Sequence, residues 1–251
     1  SCKHDVMMFL TTHSHIAINA FSEKEKVQIL HVMKNNQVST IQRIDNYFSK
    51  SELLNDLDIR ASDLLQSNGI VWVEGPSDRV YVKRWIELEG IKFQEGRDYQ
   101  FMYYGGRLLS HYTMKEADDM INVLMTNRNA AILIDSDKRT KNSRINDTKK
   151  RIREEFQSNN MFCWITKGKE IENYIPWEAI NKKYPRIDKQ CGEYELFPEY
   201  IKTVYSGFVQ SKVKFAKEIC PYITKENSSE LLDLQKNIKL LIEQIKKWNK
   251  I

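Results

Sequence analysis

Residues 70–84 read IVWVEGPSDRVYVKR, and this stretch constrains the chain more than any other. Ile70, Val71, Trp72 and Val73 are consecutive apolar residues and predict a buried strand. Gly75-Pro76 predicts a turn, and a helix is expected from Ser77 onward. Glu74 closes the strand and Asp78 follows the turn. A second apolar run, Ala130 to Ile134, ends in Asp135-Ser136-Asp137. Open α/β sheets bind ligands outside the carboxyl ends of their strands. Acids on two such neighbouring ends converge on one crevice. Clustered carboxylates repel one another, and a cation is the simplest agent that holds them together.

The rest of the composition narrows the classes without choosing among them. At 251 residues the chain has room for one large domain or two modest ones. Charged residues make up 29% and apolar residues 41%, as in ordinary soluble domains. A net charge of +5 permits a polyanionic partner without demanding one. Cys2, Cys163, Cys191 and Cys220 are scattered with no CxxC pair, so neither zinc nor a disulfide framework is expected. A reducing, cytoplasmic compartment fits that usage. No apolar run approaches the roughly 18 residues of a membrane span, and no signal peptide is expected.

Along the chain, Asp5 to Leu10 predicts a short strand running into Thr11-Thr12-His13-Ser14. Ser22 to Met33 predicts a helix, and Gln37 to Ile44 an edge strand. Residues 49–67 read as a linker of short helices. Strands are then expected at Tyr99–Tyr104, Ala130–Ile134 and Phe162–Ile165, with helices between them, including one over Asn146–Gln157. Strand and helix in alternation predict a parallel sheet. Beyond Pro176 the pattern turns helical, and the stretch from Glu230 to Trp248 carries an apolar stripe at helical spacing.

The candidate chemistry lies in three acidic groups: Glu74 with Asp78, Asp135 with Asp137, and Glu170 with Glu172 after the strand ending at Ile165. Asp135 and Asp137 are two apart, so strand alternation points both the same way. Hard oxygen donors suit Mg²⁺ or Mn²⁺ rather than zinc. Two such ions about 3.5–4 Å apart stabilise both the attacking and leaving oxygens of phosphodiester cleavage. Each group also has a plain structural use. Asp135 and Asp137 can cap the following loop and helix. Glu170 or Glu172 can be a solvated helix acid, and Lys212 an exposed lysine on an amphipathic helix. Lys138, Arg139, Lys141 and Arg144, with Lys149, Lys150 and Arg151, can form either a solvated surface or a seat for a phosphate backbone.

The order Trp72-Val-Glu-Gly-Pro-Ser-Asp, then Leu133-Ile-Asp-Ser-Asp about 60 residues later, resembles a TOPRIM domain. Within that fold it is most similar to the OLD (overcoming lysogenization defect) family, whose members join an ABC-type ATPase to a C-terminal TOPRIM nuclease. Thr11-Thr12-His13-Ser14 resembles the switch-histidine segment of ABC-type ATPases, which would make His13 the residue near the γ-phosphate of ATP; a histidine capping a strand end is the plain alternative. No GxxxxGK[ST] loop occurs, so this chain alone is not expected to bind ATP.

The resemblance implies an ATPase tail over residues 1–48, the linker over 49–67, and a TOPRIM core (a Rossmann-like parallel sheet flanked by helices) over 68–176. A helical extension over 177–251 completes the nuclease. It implies Mg²⁺- or Mn²⁺-dependent DNA cleavage, homodimerisation or higher assembly, and a role in phage defence. No membrane is implied. Carried over by motif, Glu74, Asp78, Asp135 and Asp137 are metal ligands, joined by Glu170 or Glu172. Lys212, in Lys212-Val-Lys-Phe-Ala, offsets charge on the scissile phosphate, with Lys214 as the substitute. The competing readings are a TOPRIM domain acting in DNA topology or priming, and a non-catalytic module for DNA binding or dimerisation.

Overall fold

The computed structural model describes residues 67–105 and 127–251, together with residues 8–11, 28, 30–35, 38–43, 121, 124 and 125. The chain divides into two units, Ser1–Gln66 and Ser67–Ile251. His13, residues 22–27 of the expected helix, the expected linker at 49–66 and residues 106–120 lie outside the described residues.

In the first unit, β1 (Leu30–Asn35) and β2 (Val38–Arg43) form an antiparallel hairpin in which Val32 faces Ile41. The helix expected to run to Met33 is therefore replaced by strand from Leu30. Pairing with β2 satisfies backbone groups that periodicity alone assigned to a helix. Met8 to Leu10 carry no regular structure, contrary to the expected strand. A strand needs a partner for its amide groups, and among the described residues none pairs with this segment.

The second unit is an α/β fold. Its four parallel strands stand in the order β4 (Gln100–Tyr103), β3 (Ile70–Val73), β5 (Ala130–Ile134), β6 (Phe162–Ile165). Every residue of β3 and β5 is buried, as in central parallel strands covered on both faces. From β3 the chain passes through α1 (Pro76–Leu88) to β4 on one side. From β5 it passes through α2 (Asp147–Ser158) to β6 on the other. The sheet thus reverses its order of addition between β3 and β5, which is where such sheets open a crevice.

One face of the sheet, including Val71, Val73, Leu133 and Trp164, joins the large core that holds Tyr81, Trp85 and the C-terminal helices. On the other face, the Trp72 indole donates to the Leu124 carbonyl at 2.9 Å. The helical part comprises α3 (Trp177–Lys183), α4 (Phe197–Ile201), α5 (Lys212–Ile219), α6 (Lys225–Ser228) and α7 (Leu234–Asn249). Two contacts tie this tail to the sheet. A Cβ on Gly69 would stand 2.1 Å from the Trp248 ring, so only glycine lets α7 pack at the root of β3. The Tyr174 hydroxyl lies 2.5 Å from Asp233 Oδ1 and accepts the amide of Lys167 at 2.7 Å. Among the described residues no helix is long and apolar enough to cross a membrane.

Candidate functional site

Glu74 leaves β3 and Asp135 leaves β5 at the same end of the sheet, one on each side of the crevice. The turn at Gly75-Pro76 opens α1 and brings Asp78 back to its own start. The Asp78 carboxylate accepts from the Gly75 amide at 3.0 Å and from Ser77 Oγ at 3.1 Å, and the residue is 8% exposed. A carboxylate in a helix's first turn also gains from the helix dipole. Gly75 is extended (φ −157°), and a Cβ added there would meet nothing within 4 Å. Gly75 is the N-cap of α1, a position that glycine suits.

Past β6, a 3₁₀ turn (Ile171–Tyr174) carries the other acids. Neither is solvated, which corrects the expectation that one of them would be. Glu170 spends one oxygen on the Phe197 amide at 2.8 Å, so it serves the start of α4. Glu172 is 1% exposed and points into the cluster. Its Oε1 forms an ion pair with Lys212 Nζ at 2.9 Å.

Lys212 comes from the first position of α5, and its inward direction is built by aromatic packing. Phe215, one turn later on the same face, packs against Tyr184, Phe197 and Phe208. Lys212 Nζ also stands 5.6 Å from the centre of the Phe208 ring. Lys214 is exposed and also lines the cleft. The cleft measures about 580 Å³ and is lined by residues 74–78, Asp135 and residues 209–214.

The electrostatics show how tightly these groups are gathered. Burial pushes the Asp78 carboxyl up to about 7, helped by Glu172 and Glu74 and opposed by its bonds from Gly75 and Ser77. Burial also holds Asp135 well above the usual carboxylate range, and Asp78, Glu74, Glu172 and Glu170 each add to it. Glu74 is raised by burial and by Asp137 and Glu172, against Lys212 and Lys149. Glu170 is raised by burial and then by Glu172. Burial works to lower the Lys212 ammonium, yet Glu172, Glu170 and Asp135 together hold it above its ordinary value. Six carboxylates therefore share one electrostatic patch with Lys212 and Lys149.

Asp137 departs from the expected geometry. β5 ends at Ile134, and Asp137 is left-handed (φ 56°), so strand alternation does not carry from Asp135 to Asp137. Its side chain is 73% exposed and pairs with Lys149, which sequence reasoning had placed in a basic surface run. Lys149 is instead on the buried face of α2 with Ile152 and Phe156, an i, i+3, i+7 spacing that was legible in the sequence. Ser136 was also missed. It is buried, donates its amide to Thr166 Oγ1 at 2.8 Å and its hydroxyl to the Gly168 carbonyl at 2.7 Å, and so ties the β5 and β6 ends together.

The donor set fits a hard divalent cation. Every candidate ligand is a carboxylate oxygen, and the buried Glu172 has a single ion-pair partner, Lys212, for its two oxygens. Among the described residues, no three acidic, histidine or cysteine side chains are gathered closely enough to hold an ion as they stand.

No family model matches the sequence, and no curated protein matches it. Among solved structures, the C-terminal region of the Burkholderia pseudomallei OLD protein aligns with 71% of this chain and 98% of its own length. The identity is 13% and the TM-score 0.45.

Proposed function

We propose that this chain is a Mg²⁺- or Mn²⁺-dependent nuclease that hydrolyses phosphodiester bonds in DNA. The observation that carries this reading is the partly buried acidic cluster at the sheet's switch point, with Lys212 reaching into it and pairing with the buried Glu172. Glu74, Asp78, Asp135 and Glu172 would hold the cation. A divalent cation there supplies charge neutralisation for the phosphate and a water acidic enough to attack it. Lys212 binds a non-bridging phosphate oxygen and steadies the charge that grows on it during cleavage. Glu170 keeps α4 in place through the Phe197 amide and orients Lys212 by charge. The walls of the cleft, from Gly75 and from residues 209–214, admit the backbone of a strand.

The finer reading follows the sequence motifs. The chain is the TOPRIM nuclease part of an OLD-type protein, preceded by the tail of an ABC-type ATPase containing His13. The full protein works as a homo-oligomer on DNA in phage defence, with ATP bound by the ATPase portion. One observation favours a second reading, a non-catalytic DNA-binding module: Glu172 and Asp137 already have lysine partners.

One experiment separates the two. Supercoiled plasmid is incubated with the 251-residue chain and Mg²⁺, Mn²⁺ or Ca²⁺. Nicking with Mg²⁺ or Mn²⁺, reduced at least about 10²-fold in Asp135→Asn with an unchanged melting temperature in EDTA, supports the nuclease. Plasmid binding without nicking under any of the three ions refutes it.

A further inference from the structure

The turn that carries Asp135 is pinned from two sides. On the β6 side, Ser136 bonds to Thr166 and Gly168, and the Asp137 amide donates to the Lys169 carbonyl at 2.9 Å. On the α2 side stands Lys149. Its side chain is 6% exposed, and its Nζ donates to the Asp135 carbonyl at 2.7 Å and to the Asp137 carboxylate. A lysine ammonium this buried is costly unless its donors and its charge are met; these acceptors take two of its three donors, and the Asp137 carboxylate offsets its charge. Asp137 in turn is a non-glycine residue in the left-handed region, a conformation that persists only where the surroundings over-determine it. The Lys149 bond to its carboxylate and the Lys169 bond to its amide do so.

We propose that Lys149 is a positioning residue and that Asp137 is its counter-ion rather than a cation ligand. Lys149 holds the Asp135 carbonyl from behind, so that the Asp135 carboxylate leaves the strand end toward Glu74 and Asp78. Asp137 neutralises the ammonium that does this. The inference rests on the proposed cation site, but the clamp exists in the cation-free protein and is measurable there.

Two variants of the full chain test it. Lys149→Met keeps the apolar stem and removes every donor. Asp137→Asn keeps an acceptor for Lys149 and removes the charge, and asparagine tolerates the left-handed backbone. Mn²⁺ affinity is measured by titration calorimetry, and amide hydrogen exchange of residues 136–138 is followed in EDTA. The clamp predicts faster exchange in Lys149→Met and Mn²⁺ binding weakened about 10–100-fold, the usual effect of losing a group that orients a ligand. It predicts Asp137→Asn binding Mn²⁺ within about 3-fold of the parent, less than such a loss. A Lys149→Met chain with unchanged exchange and unchanged affinity overturns the proposal. So does loss of Mn²⁺ binding in Asp137→Asn, which makes Asp137 a ligand. This second arm decides even if Lys149→Met does not fold, because Asp137 is 73% exposed. If the parent chain binds no Mn²⁺, the nuclease reading falls, and the exchange rates alone judge the clamp.

Discussion

Glu172→Gln is an almost isosteric change in the middle of the acidic cluster, and the structure allows its sign to be worked out. The side chain is 1% exposed, so its charge is held away from bulk solvent with Lys212 as its ion-pair partner. An ion buried in this way carries a penalty of several kcal/mol. It also raises the carboxyls of Glu74, Asp78, Asp135 and Glu170. Against this stands the ion pair with Lys212. That lysine is 38% exposed, so solvent screening keeps the pair near the ~0–1 kcal/mol of a surface bridge. Lys212 also keeps Glu170 and Asp135 as neighbouring counter-charges. The amide of glutamine adds two donors that nearby carboxylates can accept. The balance favours the variant by about 1–3 kcal/mol in the cation-free protein, or roughly 3–10 °C in melting temperature for a unit of this size.

With cation the order reverses. Binding only to the folded state adds about 4.1 kcal/mol to the parent at a thousand times Kd, more than the variant's advantage, and the variant forfeits that gain with its ligand. Thermal melts in EDTA and in excess Mg²⁺ read both effects. A variant that melts below the parent in EDTA would mean that Glu172–Lys212 is a stabilising structural link, and the argument from its buried charge would be wrong.

Lys212→Ala is expected to lower plasmid cleavage about 10²–10³-fold while calorimetry still registers Mn²⁺; Lys214→Ala, at an exposed position, is expected to change cleavage less than about 3-fold, well under that loss. The reverse ranking would place the phosphate-facing lysine two residues later. The cation-free protein is expected to become more stable as pH falls from 8 to 5. Asp78, raised to about 7 in the fold, binds its proton there before the unfolded chain does. Its contribution is full below the ordinary aspartate range and is lost as pH rises through about 7. Asp78 alone supplies on the order of 2–4 kcal/mol over that window. Calorimetric melts in EDTA at pH 8, 6.5 and 5 check the sign, and a melting temperature that drops across this series contradicts it.

Glu74 and Asp135 could be placed from the sequence alone because the information is local. A strand buried on both faces is a continuous apolar run, and the first acid after it marks where the chain leaves the sheet. Asp78 followed for the same reason, since Gly75-Pro76 announces a helix start one turn away. The last turns of the chain were legible through their apolar stripe. Leu30–Met33 was not, because its spacing suits a helix as well as a strand and only pairing with Val38–Arg43 chooses between them.

The identity of each acid's partner was not in the sequence either. Glu172 and Lys212 are 40 residues apart in the chain, Tyr174 and Asp233 are 59 apart, and Asp137 and Lys149 are 12 apart across a loop and a helix start. No periodicity encodes such pairs. They are set by how α5 and α7 dock on the sheet through Phe215 and Trp248 and by which face of α2 turns inward. Residue types and strand ends are properties of a segment, and they told where acids collect. Whether a given carboxylate is free, capped or paired depends on burial and on charges brought from elsewhere, and packing alone supplies both.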